Sequence, residues 1–290
     1  MQKTQKCRAF LKWAGGKYNL VDAISLHLQD ATQLVEPFVG AGSVFLNTQY
    51  SHYKLNDINA DLINLYKLLQ SDHGRFITDA RSLFTSQTNQ RDSYISLRQQ
   101  FNQSSDEYER ALLFLYLNRH GYNGLCRYNL SGKFNVPFGS YKKPYFPEAE
   151  LHYFAEKSQF AEFSCTGYQQ IMQQATAGSV IYCDPPYVPL SKTASFTSYA
   201  RQGFDLDDQA QLANLAEQAQ QRGVTVVISN HDTTWTRKIY QQAELHSLQV
   251  NRSISQNGAG RGKVAELFAV YQPSRAPNLQ SIATSKQKTA

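Results

Sequence analysis

Short apolar runs rich in β-branched and aromatic residues alternate with longer stretches of helical spacing along most of the chain. This is the pattern of parallel strands joined by helices. Runs at residues 34–38, 53–56, 160–165, 179–183, 224–230, 245–250 and 267–271 predict about seven strands, the last two spaced closely enough to end the sheet in a hairpin. An α/β fold follows from the alternation.

The alternation breaks between about residues 61 and 150. Helical spacing there predicts helices at 62–69, 76–83, 94–101 and 111–117, after which glycine, asparagine and aromatic residues take over. Residues 128–136, with Ser131-Gly132 in the middle, read as a hairpin. The chain therefore divides into a discontinuous sheet domain, residues 1–60 and 148–272, and an inserted subdomain, residues 61–147. The tail 273–290 is rich in proline, serine, lysine and glutamine and reads as disordered.

Composition narrows the class. A chain of 290 residues with 41% hydrophobic content can bury a large core. The formal charge of +6 is a mild signal of a polyanionic partner, but its distribution is sharper. Residues 118–147 contain no Asp or Glu, yet hold Arg119, Arg127, Lys133, Lys142 and Lys143. A second acid-free stretch carries Arg252, Arg261 and Lys263. Cys7, Cys126, Cys165 and Cys183 are scattered, without metal-ligand or disulfide-framework spacing, so reduced thiols and no metal are expected. The N-terminus lacks an apolar core of signal-peptide length, and no apolar run is long enough to span a bilayer. A cytoplasmic protein without a membrane partner is expected.

The densest chemistry is Asp184-Pro185-Pro186-Tyr187, directly after the apolar run at 179–183. Each proline fixes φ, removes a backbone donor and holds the preceding residue extended, so the turn is stiff and its carbonyls are free to accept. Asp184 and the Pro185 carbonyl can accept two hydrogen bonds from a planar amine while Tyr187 stacks on the attached ring. An exocyclic amine is a poor nucleophile because its lone pair is delocalised, and two acceptors that bend it toward tetrahedral geometry localise that pair.

A nucleoside-binding pattern lies upstream. Pro37-Phe38-Val39-Gly40-Ala41-Gly42 follows the first strand and is read as opening a helix, with Gly40 and Gly42 at the turn. Asp57, ending the second strand, can accept from ribose hydroxyls. Phe45 stands where a dinucleotide fingerprint needs its third glycine, which weighs against a nicotinamide-dependent dehydrogenase. Lys12-Trp13-Ala14-Gly15-Gly16-Lys17 suits a loop that folds over a carboxylate or a ring. In the insert, Arg119 to Asn129 and Phe134 to Lys143 interleave basic, aromatic and amide side chains, as a loop that reads a duplex requires. A base inside a duplex reaches a deep pocket only when flipped out, which joins the two halves into one reaction. A non-catalytic DNA-binding protein is opposed by the glycine turn and Asp57. The segment 191–199, polar with Phe196 and Tyr199, reads either as a loop that closes over the base or as ordinary surface. Asn230, His231 and Asp232 read as structural or at the pocket edge.

In this order, these motifs resemble the Dam-type DNA adenine-N6 methyltransferases over residues 8–271. The resemblance implies a class I, Rossmann-like methyltransferase sheet with an inserted helical target-recognition domain, the cofactor S-adenosylmethionine, and double-stranded DNA containing GATC as substrate. By resemblance, Asp184, Pro185, Pro186 and Tyr187 are catalytic, and Trp13, Lys17, Gly40, Gly42, Asp57 and Asp184 form the cofactor side. Tyr122 matches the intercalating aromatic and Asn123 the residue that meets the orphaned thymine. Leu125, Arg127 and Pro137 match base-reading positions, and Lys12 and Tyr141 lie against the DNA. Ser140 departs from some relatives that have a basic residue there, which leaves a phosphate contact at that position open. The resemblance implies a monomer in the bacterial cytoplasm, acting in mismatch repair, replication control or gene regulation. Cytosine-N4 and protein-amide methyltransferases of the same fold need a similar pocket, but more often carry Ser or Asn where this chain has Asp184.

Overall fold

The computed structural model describes residues 6–28, 31–187, 204–251 and 263–273. The expected loop at 191–199, the basic positions Arg252 and Arg261, and the tail from 274 lie outside the described residues.

Among the described residues seven strands form one sheet: β1 (Gln33–Glu36), β2 (His52–Asn56), β3 (Ala161–Ser164), β4 (Ser179–Cys183), β5 (Thr225–His231), β6 (Glu244–Asn251) and β7 (Lys263–Tyr271). Their order is β3-β2-β1-β4-β5-β7-β6. The first five are parallel, and β7 runs antiparallel to both β5 and β6. This is the class I methyltransferase sheet. The chain steps outward from β1 to β3, then returns to the other side of β1 at β4. The crevice beyond the carboxyl ends of β1 and β4 is the topological switch point, where ligands bind in open α/β sheets.

β4 shows how the sequence selects this arrangement. All five of its residues are buried, as in a central parallel strand covered on both faces. Alternate side chains enter different cores: Val180 and Tyr182 join one cluster, and Ile181 and Cys183 the other. The second core is closed by α6 (Tyr168–Gln173), α7 (Leu206–Gln221) and α8 (Thr234–Ile239). The first runs without interruption into the inserted helices, taking in Tyr94, Phe101, Phe134 and Val136. The insert therefore shares an apolar core with the sheet.

The insert comprises α2 (Ala60–Ser82), α3 (Arg91–Gln103) and α4 (Glu107–His120), and α5 (Glu148–Ser158) leads back to the sheet; α1 (Val21–Ser25) precedes β1. The two helices expected at 62–69 and 76–83 are one element broken at Asp72, which has φ −148° and ψ 58°. The Asp72 carboxylate accepts from the Arg75 amide at 3.4 Å and so caps the second half. α4 is buried almost continuously from Leu113 to His120 and forms the axis of the insert. The expected hairpin is present, with Tyr128 bridged to Phe134 and Gly132 at φ +70°.

The helix expected after Gly40 and Gly42 is instead a single 3₁₀ turn, Phe45–Asn47. Side chains take the backbone groups that a longer helix would use. Asn47 accepts from the Cys7 amide at 2.8 Å and donates to the carbonyls of Cys7 and Ser43, while Thr48 donates to the Val44 carbonyl.

Candidate active site

The turn at the end of β4 is held from three sides. Lys17 Nζ lies 2.7 Å from Asp184 Oδ1 and donates to the Gly15 carbonyl at 2.8 Å. On β5, the Ser229 hydroxyl lies 3.3 Å from the same Oδ1 and 2.9 Å from the buried Tyr182 hydroxyl. Among the described residues nothing engages Asp184 Oδ2. The Tyr187 hydroxyl donates to the Glu266 carboxylate of β7, and the His231 ring meets the Tyr187 ring edge-on at 4.9 Å. Lys17 Nζ stands 4.6 Å from the Tyr187 ring centre. Burial raises the Glu266 carboxyl above the usual carboxylate range, with Lys17 opposing that shift.

Lys17, Asp184, Tyr187, His231 and Glu266 line a cavity of about 1100 Å³ that also takes in residues 13–16, Glu36, Gly40 and Asp57, while Ser229 and Gly42 stand behind its wall. Gly40 and Gly42 have φ +47° and +71°. A Cβ on Gly40 would stand 2.8 Å from Trp13 Nε1, so the position needs glycine for space as well as for conformation. The Gly40 amide donates to Asp57 Oδ2 at 3.0 Å and the Asn59 amide to Oδ1 at 2.9 Å. Burial still raises the Asp57 carboxyl, against those amides.

Glu36 ends β1 on the cavity wall. It is buried, its Oε1 has no hydrogen-bond partner among the described residues, and burial pushes its carboxyl up to about 8. Ile58, 77% exposed, gives the same wall an apolar surface beside Asp57. The cavity thus offers carboxyl groups at Glu36, Asp57 and Asp184, an indole, and apolar surface. That donor set fits a nucleoside joined to a cationic centre, the chemistry of the cofactor the resemblance implies. Glu36, Ile58, Ser229 and Glu266 were not singled out by the sequence reading. For Glu36 a signal was present: Glu36-Pro37 repeats the acid-proline pattern of Asp184-Pro185 at a second strand end.

The insert gathers most of the expected duplex-reading residues around Lys12. The Lys12 backbone is clamped by Asn118, which accepts from its amide at 2.9 Å and donates to its carbonyl at 2.7 Å. Its ammonium sits 3.7 Å from the Tyr141 ring centre, and burial, with Arg119 nearby, lowers it to about 8. The Asn123 amide donates to the Tyr141 hydroxyl at 3.0 Å, and the Tyr122 amide to the Pro137 carbonyl at 2.8 Å. A Cβ on Gly124 would come within 2.1 Å of Lys12 Cβ, so this turn packs directly on the 12–17 segment. Asn123 and Ser140 adopt φ of +53° and +52°. The Tyr122 side chain is half exposed. Arg127 stands farther along the hairpin, where its guanidinium donates to Asn135 Oδ1 at 2.7 Å; Leu125 is half-buried against the first core. Lys12 and Trp13 are chain neighbours, one against the insert and the other on the cavity wall.

Comparison with known proteins bears on the same residues. Residues 13–254 match the family described as D12 class N6 adenine-specific DNA methyltransferase. The chain is 60% identical over 270 residues to the DNA adenine methylase of Vibrio cholerae serotype O1 (strain ATCC 39541), covering 93% of this chain and 98% of that relative. It is 58% identical over 269 residues to the DNA adenine methylase of Escherichia coli K12, covering 93% and 97%. The one from Serratia marcescens is also 58% identical over 269 residues, covering 92% of this chain and all of that relative, 100%. The matched span begins at Trp13 and takes in both acid-proline strand ends, the cavity lining apart from Glu266, and the whole insert, so the chain belongs to the D12 class of N6 adenine-specific DNA methyltransferases.

Proposed function

We propose that this methyltransferase acts as a cytoplasmic monomer on adenine N6 in double-stranded GATC, with S-adenosylmethionine as methyl donor. The observation that carries the reading is the asymmetry of Asp184. Lys17 and Ser229 hold Oδ1, while Oδ2 has no partner among the described residues, and the same Lys17 ammonium stands 4.6 Å from the Tyr187 ring centre.

In this reading Trp13, Lys17, Gly40, Gly42 and Asp57 hold the cofactor, whose sulfonium supplies an electrophilic methyl group. Asp184 Oδ2 and the Pro185 carbonyl accept the two amine hydrogens of an extruded adenine and bend the nitrogen toward tetrahedral geometry. Tyr187 stacks on the base, its ring fixed by the bond to Glu266 and by the edge of His231. Positioning and oriented acceptors supply the rate, since a well-held near-attack geometry replaces a costly encounter in solution. No enzyme nucleophile is used. Cys183, the nearest thiol in the chain, is wholly buried in the opposite core and its proton is held tightly by burial.

On the DNA side, Tyr122 intercalates and Asn123 meets the orphaned thymine. Leu125, Arg127 and Pro137 read bases, and Lys12 and Tyr141 lie against the duplex. The basic, acid-free stretch at residues 118–147 of the insert supports this division of labour. Residues 61–147 then form the target-recognition domain, and residues 1–60 with 148–272 the catalytic one. The test is transfer of radiolabelled methyl groups to GATC duplexes and to duplexes altered at each position. Labelling confined to intact GATC is expected, and equal labelling of scrambled duplexes would overturn the assignment.

A further inference from the structure

Behind the catalytic turn lies a buried polar network whose connections lead back to that turn. Gln209, in the first turns of α7, is wholly buried, a rare position for glutamine unless its amide is fully used. Its Nε2 donates to the Pro186 carbonyl at 2.6 Å. Its Oε1 accepts from Asn230 Nδ2 and from the Tyr240 hydroxyl, both at 3.0 Å. Asn230 Nδ2 also lies 3.2 Å from the Tyr240 oxygen.

The network returns to the turn by a second route. Asn230 Oδ1 accepts from the His231 amide at 2.9 Å, and the His231 ring abuts the Tyr187 ring. One end therefore grips the carbonyl of Pro186, and the other sets the residue that packs on Tyr187. Prolines already remove most local freedom from the turn. What remains is its rigid-body placement against the sheet, and the Gln209 amide holds the turn at Pro186, where Lys17, Ser229, Glu266 and His231 hold it at Asp184 and Tyr187.

We propose that Gln209, with Asn230 and Tyr240, positions Asp184-Pro185-Pro186-Tyr187 for methyl transfer without touching the substrate. This rests on the reading of that turn as the amine-holding site. A shift of about 1 Å in reacting groups can cost about 10²-fold in rate. Loss of the Gln209 donor is therefore expected to lower kcat about 10–100-fold, with KM for DNA and for S-adenosylmethionine changed less than about threefold.

Two variants test this. Gln209→Leu removes the donor and the acceptor together. Gln209→Glu keeps the shape but donates to Pro186 only when its carboxyl is protonated. Steady-state kcat and KM for DNA and for S-adenosylmethionine, single-turnover rates and thermal melting are measured for both variants and for the wild type over a range of pH. Expected are a folded Gln209→Leu with the kcat loss above, and a Gln209→Glu whose rate relative to wild type rises as pH falls. A folded Gln209→Leu with wild-type kcat overturns the proposal. So does a Gln209→Glu rate ratio that stays flat with pH, and this second criterion holds even if Gln209→Leu does not fold. Asp184→Ala, assayed in parallel, separates the two claims: full activity there overturns the reading of the turn itself, whatever Gln209 does.

Discussion

Lys17 Nζ and Asp184 Oδ1 lie 2.7 Å apart, joining a loop before the first strand to the turn after the fourth. The lysine side chain is 7% exposed and the aspartate 23%, so the pair is largely withdrawn from water. It fixes one carboxylate oxygen of a residue that lines the cavity, and the other oxygen has no partner among the described residues.

Removing the lysine strands that carboxylate. Breaking a fully buried pair costs about 3–5 kcal/mol, and the residual exposure of Asp184 places this one lower, at about 2–3 kcal/mol. Lys17→Ala should lose that stability in urea denaturation, with at least a tenfold lower methyl-transfer rate at saturating cofactor. An unchanged rate would mean that the orientation of Asp184 does not depend on Lys17.

Gly40→Ala puts a Cβ against the Trp13 indole at a residue with φ +47°. The indole must move off the cavity wall. Calorimetric titration with S-adenosylmethionine should show at least tenfold weaker binding, about 1.4 kcal/mol or more, while duplex binding stays near that of the wild type. Equal cofactor affinity would remove Trp13 from the cofactor side.

Arg127→Ala tests base reading directly. The guanidinium is exposed and already oriented by Asn135. Loss of a good bidentate base contact costs about 1–3 kcal/mol of discrimination, felt at a single base pair. Competition between intact and singly altered duplexes measures it. A uniform loss across all sequences would mark a phosphate contact instead.

Glu36 gives a pH dependence with a definite sign. Its carboxyl is pushed up to about 8 by burial, from a usual value of 4.5. Between those values the folded chain keeps a proton that the unfolded chain has lost. This contribution to stability is complete below the lower value and is lost as pH rises toward the upper one. Glu36→Gln cannot ionise, so its melting temperature relative to wild type should rise between about pH 5 and about pH 8. A constant difference would place the wild-type carboxyl in the ordinary range.

Much of this was legible in the sequence because it was local. The apolar run through Val180, Ile181, Tyr182 and Cys183 marked a strand, and the residues that follow marked a stiff, acceptor-rich turn. The acid-free stretch with Tyr122 and Arg127 marked the insert. What was not legible depends on groups distant in the chain meeting in space. Lys17 reaches Asp184, Tyr187 reaches Glu266, and Gln209 reaches Pro186, and no periodicity encodes those meetings. Gln209 in particular reads as one more glutamine on a helix surface. The break at Asp72 and the 3₁₀ turn at Phe45 both come from side chains that compete for backbone hydrogen bonds, which helical spacing does not register.

The central claim is that Asp184 holds the amine of an extruded adenine. Its most direct measurement is the single-turnover rate of methyl transfer to a GATC duplex by Asp184→Ala, with cofactor and duplex binding and circular dichroism recorded on the same preparation. A rate lowered at least about 10²–10³-fold in a folded protein that still binds duplex is expected. A wild-type rate from that variant would contradict the account.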